Sequence, residues 1–287
     1  MNFCIIGGDL RNFYLAKQLL SKGNNVSLFG FENIEKNNVN ENNIESSNVI
    51  VLPMPFTKDN KNLNLVYSDN KIPVNEFIEK LNEKIIFSGN LETKYIEKLK
   101  RNNCKIIDIM KDEEFAILNA IPTAEATIEI MLKNSRKALQ SCNCLVMGFG
   151  RIGKILSNKL KGLNANVTCI PMNGEEKAWA IAYGQNIVNS NINLYEYDII
   201  VNTIPKDILK EKLRKVNKET LIIDVASKPY GIDRKIVEEE KLNFIEALAL
   251  PREIKTNYIS WKYIWNNKKE FIRKQVLQFT VYEINRF

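Results

Sequence analysis

The stretch CLVMGFGRIGKILSNKL, Cys144 to Leu160, constrains the fold of this chain more than any other. An apolar run enters three glycines spaced G-x-G-x-x-G, and an amphipathic run leaves them. Ile152, Ile155, Leu156, Leu160 and Leu163 recur at helical spacing, so the glycines join a buried strand to a helix. Each glycine has a task that a side chain would obstruct. Gly148 allows the tight turn, Gly150 lets the backbone approach a pyrophosphate, and Gly153 lets the helix pack closely on the strand. Amides at the helix start then face the anion, aided by the helix dipole. A glycine-rich turn without a ligand is the alternative. The complete strand–turn–helix context favours a dinucleotide cradle, with Arg151 and Ile152 inside it.

The rest of the chain repeats the strand–helix alternation. Short apolar runs at 2–8, 25–31, 48–55, 84–89 and 104–110 read as strands, with helices at 10–22, 74–82 and 91–101. A second cycle places strands at 143–149, 165–171, 185–189, 197–203, 220–226 and 243–248, and helices at 151–163, 174–183, 206–216 and 231–241. Runs apolar on both faces indicate parallel sheets covered by helices. The expected fold is α/β, with two doubly wound parallel-sheet domains, flavodoxin-like at the N-terminus and Rossmann-like at the C-terminus. A connecting helix beginning at Pro122, Thr123 and Glu125 joins them. The expected boundaries are 1–120 for a substrate domain, 121–140 for the helix and 141–250 for the dinucleotide domain. The remaining 251–287 would pack back on the first domain through a helix at 262–285. Two such domains would leave a cleft where cofactor meets substrate. The polar excursion around ENIEKNNVNENNIESSN and the irregular TKDNKNLNLVYSDNKIP read as surface loops.

Composition excludes other classes. The chain has 287 residues, 45% hydrophobic and 26% charged, which fits globular domains with substantial cores. No apolar run reaches roughly 18 residues, so no membrane span is expected. The N-terminus has no basic start followed by a long apolar core, so a cytoplasmic location is expected. The net charge of +7 is spread over lysines interleaved with glutamates, which argues against a nucleic-acid partner. A positive field suits an anionic small molecule equally well. Five cysteines and no histidine argue against both a disulfide framework and a metal site, so reduced buried thiols are expected.

Further marks fall where open α/β sheets bind ligands, at strand C-termini. VNTIP puts Asn202, Thr203 and Pro205 after one strand, and DVASKPYGID puts Ala226, Ser227 and Lys228 after the next. An acid that reads the adenosine ribose would stand about 20 residues beyond the glycine motif. Met172 and Asn173 occupy that place. Its absence favours NADP, with Asn173 and Lys177 available to a 2′-phosphate, while Glu175 and Glu176 keep NAD open. At the N-terminus, IIGGDLRNF lacks the third glycine. Either this is a first strand turning into a helix that Asp9 caps, or its loop faces the cleft with Arg11 available to an anionic substrate.

Taken together, IIGGDLRNFYLA, NAIPTAEATI, LVMGFGRIGKILSNKLKGLNANVT, DIIVNTIP and LIIDVASKPYGID resemble the A-subunit family of dipicolinate synthase, found in spore-forming bacteria. The resemblance runs from the N-terminus to about residue 248. It implies oxidation of dihydrodipicolinate, a small dicarboxylate, to dipicolinate with NADP. It also implies a partner, the B subunit of dipicolinate synthase, and a place in the mother-cell cytoplasm during sporulation. After residue 248 the family's glycine-containing LPGK segment is replaced, since only Leu250 and Pro251 are kept before REIKTNYISWKYIWNN. Ala126 stands where the family often has glycine.

For such a reaction the proton acceptor cannot be histidine, which leaves a carboxylate, lysine, tyrosine or water. Glu125 and Lys228 are the expected bases. Arg11, Thr123, Ser227 and Lys228 are the expected contacts to the two carboxylates. The alternatives are another two-domain nicotinamide dehydrogenase or a non-catalytic dinucleotide-binding partner. A homodimer is also open.

Overall fold

The computed structural model describes residues 1–35, 42–227 and 229–247. The chain divides into two compact units, the first covering Met1–Ala116 and the second starting at Ile117. The expected C-terminal helix at 262–285, and Leu250 and Pro251, lie outside the described residues, as does Lys228.

In the first unit, β1 (Asn2–Ile6), β2 (Asn25–Phe29), β3 (Val49–Val51), β4 (Ile85–Ser88) and β5 (Lys105–Asp108) form one parallel sheet ordered β2-β1-β3-β4-β5. That is the flavodoxin-like order. Its connections include α1 (Leu10–Ser21), α2 (Asn42–Ser46), α3 (Val74–Glu79) and α4 (Thr93–Arg101). The short α2 lies within the stretch read as a loop. Both sheet faces are buried. Cys4, Ile6, Ile50 and Ile86 face one core, while Phe3, Ile5, Val49, Val51 and Ile85 face another. This two-sided burial explains why these strands show no alternation of apolar and polar residues.

In the second unit, β6 (Asn143–Met147), β7 (Asn166–Ile170), β8 (Asn186–Ile187), β9 (Ile199–Asn202), β10 (Leu221–Asp224) and β11 (Phe244–Glu246) form a second parallel sheet. Its order is β11-β10-β9-β6-β7-β8, the dinucleotide-binding arrangement. The chain reverses its direction of winding between β6 and β9, which sets the switch point there. Cys144, Val146, Val167, Cys169, Ile199 and Val201 pack on one face, and Leu145, Met147, Ile170, Ile200 and Ile222 on the other.

α5 (Glu113–Asn134) begins in the first unit and continues in the second. It corrects the expectation of a helix starting at Pro122. Asp112 starts it instead, its Oδ1 accepting from the Phe115 amide at 2.9 Å, and acids follow at Glu113 and Glu114. Acids favour the positive end of a helix. Pro122 therefore lies inside α5. Length and composition alone would let α5 cross a membrane. Its Ala124, Ala126 and Met131 are instead core residues of the second unit. α6 (Arg151–Gly162), α7 (Gly174–Ala182) and α8 (Arg234–Glu240) complete that unit. The helix expected at 206–216 is only a 3-10 turn at Lys210–Lys215. Lys210 has a left-handed backbone there, which interrupts a regular helix.

Candidate functional site

The C-terminal ends of β7, β6, β9 and β10 form one row. Met147 registers with Ile170 on one side and with Asn202 on the other, and Asn202 registers with Asp224. The residues just past this row are the candidates, and they cluster at the switch point.

After β6 the chain turns at Gly148, whose φ of +91° is strained for any residue with a side chain. A Cβ there would also lie 2.5 Å from Thr203 Oγ1. At Gly153 a Cβ would come within 2.2 Å of the Gly148 carbonyl oxygen, so this glycine exists for close approach of α6 to the turn. Gly150 differs. Its backbone is ordinary and a Cβ would meet nothing closer than Glu176 Oε1, at 3.6 Å. No packing among the described residues requires a glycine at 150, which leaves the approach of a ligand as its reason. Gly150 is the N-cap of α6, and no side chain caps the turn. The start of a helix, whose first amides cannot bond within it, favours an anion at this place. Arg151 opens α6 at the surface, and Ile152 packs its side chain against the core. This geometry fits a dinucleotide pyrophosphate.

Two turns flank the cradle. Thr203 donates its hydroxyl to the Met147 carbonyl at 2.7 Å, tying the turn after β9 to the end of β6. Pro205 follows, exposed. After β10, Asp224 is fully buried and accepts from Asn202 Nδ2 at 2.8 Å, the Ala226 amide at 3.1 Å and the Gly231 amide at 3.3 Å. Asn202 in turn donates to the Ile204 carbonyl and accepts from the Ile204 amide. One buried acid–amide pair therefore fixes both turns. Sequence reasoning reached Asn202 and Ala226 but passed over Asp224, whose only signal is a carboxylate ending an apolar strand.

Several expected roles change. Asn173 is the N-cap of α7, its Oδ1 accepting from the Glu176 amide at 2.8 Å, so this oxygen serves the helix. Thr123 lies in the third turn of α5 and donates to the Asn119 carbonyl at 2.9 Å, so it offers no helix-start amides. Glu125 also lies inside α5, half-exposed, and pairs with Lys159 at 2.9 Å. That is the geometry of a surface ion pair, with no feature that marks a base. Ser227 is exposed at the turn after β10. Arg11 forms a fork on Asp9, with Nε and Nη2 each 2.9 Å from a carboxylate oxygen, while Asp9 also caps α1. The capping reading of Asp9 holds, and Arg11 is tied to the same carboxylate.

The first unit's glycine pair is no cradle. Gly7 and Gly8 have positive φ, but the Gly8 amide donates to the Asn64 carbonyl and Asn12 Nδ2 fills the turn, 3.0 Å from the Gly7 carbonyl. Leu65 packs so closely that a Cβ on Gly7 would lie 2.4 Å from its Cδ2. These glycines admit a neighbouring loop. All five cysteines are free thiols buried in the cores. Burial pushes Cys4 and Cys144 up to about 12 and Cys169 to about 11.

Residues 2–110 match the family described as the N-terminal domain of the A subunit of dipicolinate synthase. The dipicolinate synthase A subunit of Bacillus subtilis (strain 168) is 26% identical over 267 residues, covering 88% of this chain and 89% of that protein. The crystal structure of the dipicolinate synthase A subunit from Bacillus halodurans superposes with a TM-score of 0.82 at 25% identity, covering 94% of this chain and 96% of the other. The crystal structure of the Bacillus subtilis A chain gives 0.80 at 23% identity, over 98% and 97% of the two chains.

Proposed function

The chain belongs to the A-subunit family of dipicolinate synthase, and from that premise we propose that it is an oxidoreductase converting dihydrodipicolinate to dipicolinate with a nicotinamide dinucleotide held at the Gly148–Gly153 loop. The observation that carries the reading is Gly150, a glycine that no contact among the described residues demands, at the N-cap of α6 at the sheet's switch point. The dinucleotide, when bound, would supply the hydride acceptor.

The protein's own contribution is positional. First-turn amides of α6 hold the pyrophosphate, and Gly150 allows its close approach. Thr203, Pro205 and Ala226 line the turns beside it, kept in place by Asn202 and Asp224. Fixed geometry of this kind lowers the entropic part of the barrier. The reaction removes one hydride and one proton from the ring and leaves an aromatic pyridine. Arg11 binds Asp9 through Nε and Nη2, and its Nη1 is the donor proposed for a substrate carboxylate. Charge-assisted bonds contribute roughly 1.5–3 kcal/mol, so Arg11→Ala should raise KM for dihydrodipicolinate about 10-fold. An unchanged KM would remove Arg11 from the site.

The Bacillus subtilis relative is named as the A subunit of a synthase, which supports a B-subunit partner for this chain too. The reading also sets the reaction in the cytoplasm of a sporulating cell. Its test is product formation. Purified protein, alone and with its B-subunit counterpart, is given dihydrodipicolinate and oxidised dinucleotide. Dipicolinate and reduced dinucleotide in equal amounts are expected. Failure to form either, by a protein that binds the dinucleotide, would reduce it to a binding partner.

A further inference from the structure

The sequence expectation of NADP rests on the family resemblance and on the missing acid at the end of the strand that is now β7. In the folded chain a carboxylate reaches this place by another route. Asn173 caps α7, and Glu176, three residues on, turns back toward the strand end. Glu176 Oε2 accepts from the Met172 amide at 2.8 Å and, across the turn, from the Phe149 amide of the glycine loop, also at 2.8 Å. The pattern is that of a capping box whose acid reaches one residue further and across to a second loop. It joins the two segments between which a dinucleotide-binding unit places the adenosine ribose.

We propose that Glu176 reads the ribose and gives this protein a preference for NAD over NADP; the inference rests on the cradle reading above. Two amide donors on Oε2 fix the side chain. Oε1 accepts no hydrogen bond among the described residues and lies 3.6 Å from the place of a Gly150 Cβ. An acceptor-only oxygen there suits the 2′-hydroxyl, which can donate. The same charge opposes a 2′-phosphate, which can only add negative charge. Lys177 does not offset it, because neighbouring residues on a helix do not face the same way. Lys154 has its ammonium 4.9 Å from the centroid of the Trp179 ring.

The test is calorimetric titration of wild type, Glu176→Gln and Glu176→Ala with NADH and with NADPH. Wild type should bind NADH about 10-fold or more tightly than NADPH, the scale of one like-charge contact. Glu176→Gln keeps an acceptor for both amides but loses the charge, so it should narrow the ratio chiefly by improving NADPH. Glu176→Ala should narrow it further by weakening NADH. Equal binding, or tighter NADPH binding, by wild type would overturn the inference and leave the cradle standing. An NADH preference unchanged in Glu176→Gln would also overturn it. Binding of neither nucleotide would overturn the cradle reading itself.

Discussion

Gly150 and Gly153 stand three residues apart in one motif and answer to different constraints. A methyl group on Gly153 would strike the Gly148 carbonyl at 2.2 Å, whereas one on Gly150 would meet only Glu176 Oε1 at 3.6 Å. Gly153→Ala should therefore destabilise the fold by roughly 1–3 kcal/mol, as overpacking does. Gly150→Ala should leave the stability read from urea unfolding within about 0.5 kcal/mol of wild type, as for ordinary surface changes. Equal losses in both would mean that the two glycines share a packing role. Gly150→Asp should stay folded and lose dinucleotide binding in calorimetry, because its carboxylate would face the pyrophosphate; normal binding by the folded variant would displace the cradle. The tight turn at Gly148 and the close packing at Gly153 were legible because the pattern came with its strand and helix. Glu176 was legible only as one of two nearby acids that kept NAD open, because the sequence rule looks for an acid at the strand end and here it reaches back from the first turn of α7. Thr123 misled for a related reason. Its proline neighbour looked like a helix start, while the acids that begin α5 lie two turns and more before Pro122.

Among elements, the strands and their order were the most legible part, since two-sided burial demands continuous apolar runs such as LIID and IIVN. The turns after β9 and β10 were legible only as positions. What holds them is a contact between Asn202 and Asp224, 22 residues apart in sequence and adjacent in register. Local pattern carries no sign of such a pair. Asp224→Ala would leave the Asn202 amide and the Ala226 and Gly231 amides without their buried acceptor. We expect a loss of about 3 kcal/mol or more, read as a lower urea midpoint with an unchanged slope. A loss below about 1 kcal/mol would mean that the turns hold themselves.

Across the whole molecule, both units bury thiols whose titration is pushed upward by burial, Cys4 in the first and Cys144 and Cys169 in the second. The sign follows from proton counting. Between the ordinary thiol value of 9.0 and folded values of about 11–12, the unfolded chain has lost protons that the folded one keeps. Stability from these groups is therefore complete below the ordinary value and declines as pH rises above it. Chemical denaturation across that range should show the decline, and replacing Cys144 by alanine should make it shallower. A profile flat through the alkaline range would contradict the burial of the thiols. The same two-unit architecture sets the most direct test of the functional account, which is where a dinucleotide goes. Amide hydrogen exchange of the full chain with and without NADH reports both glycine loops at once. Slowed exchange is predicted across Gly148–Lys154 and in the turns after β9 and β10. Slowed exchange at Gly7–Arg11 with none at Gly148–Lys154 would contradict the account.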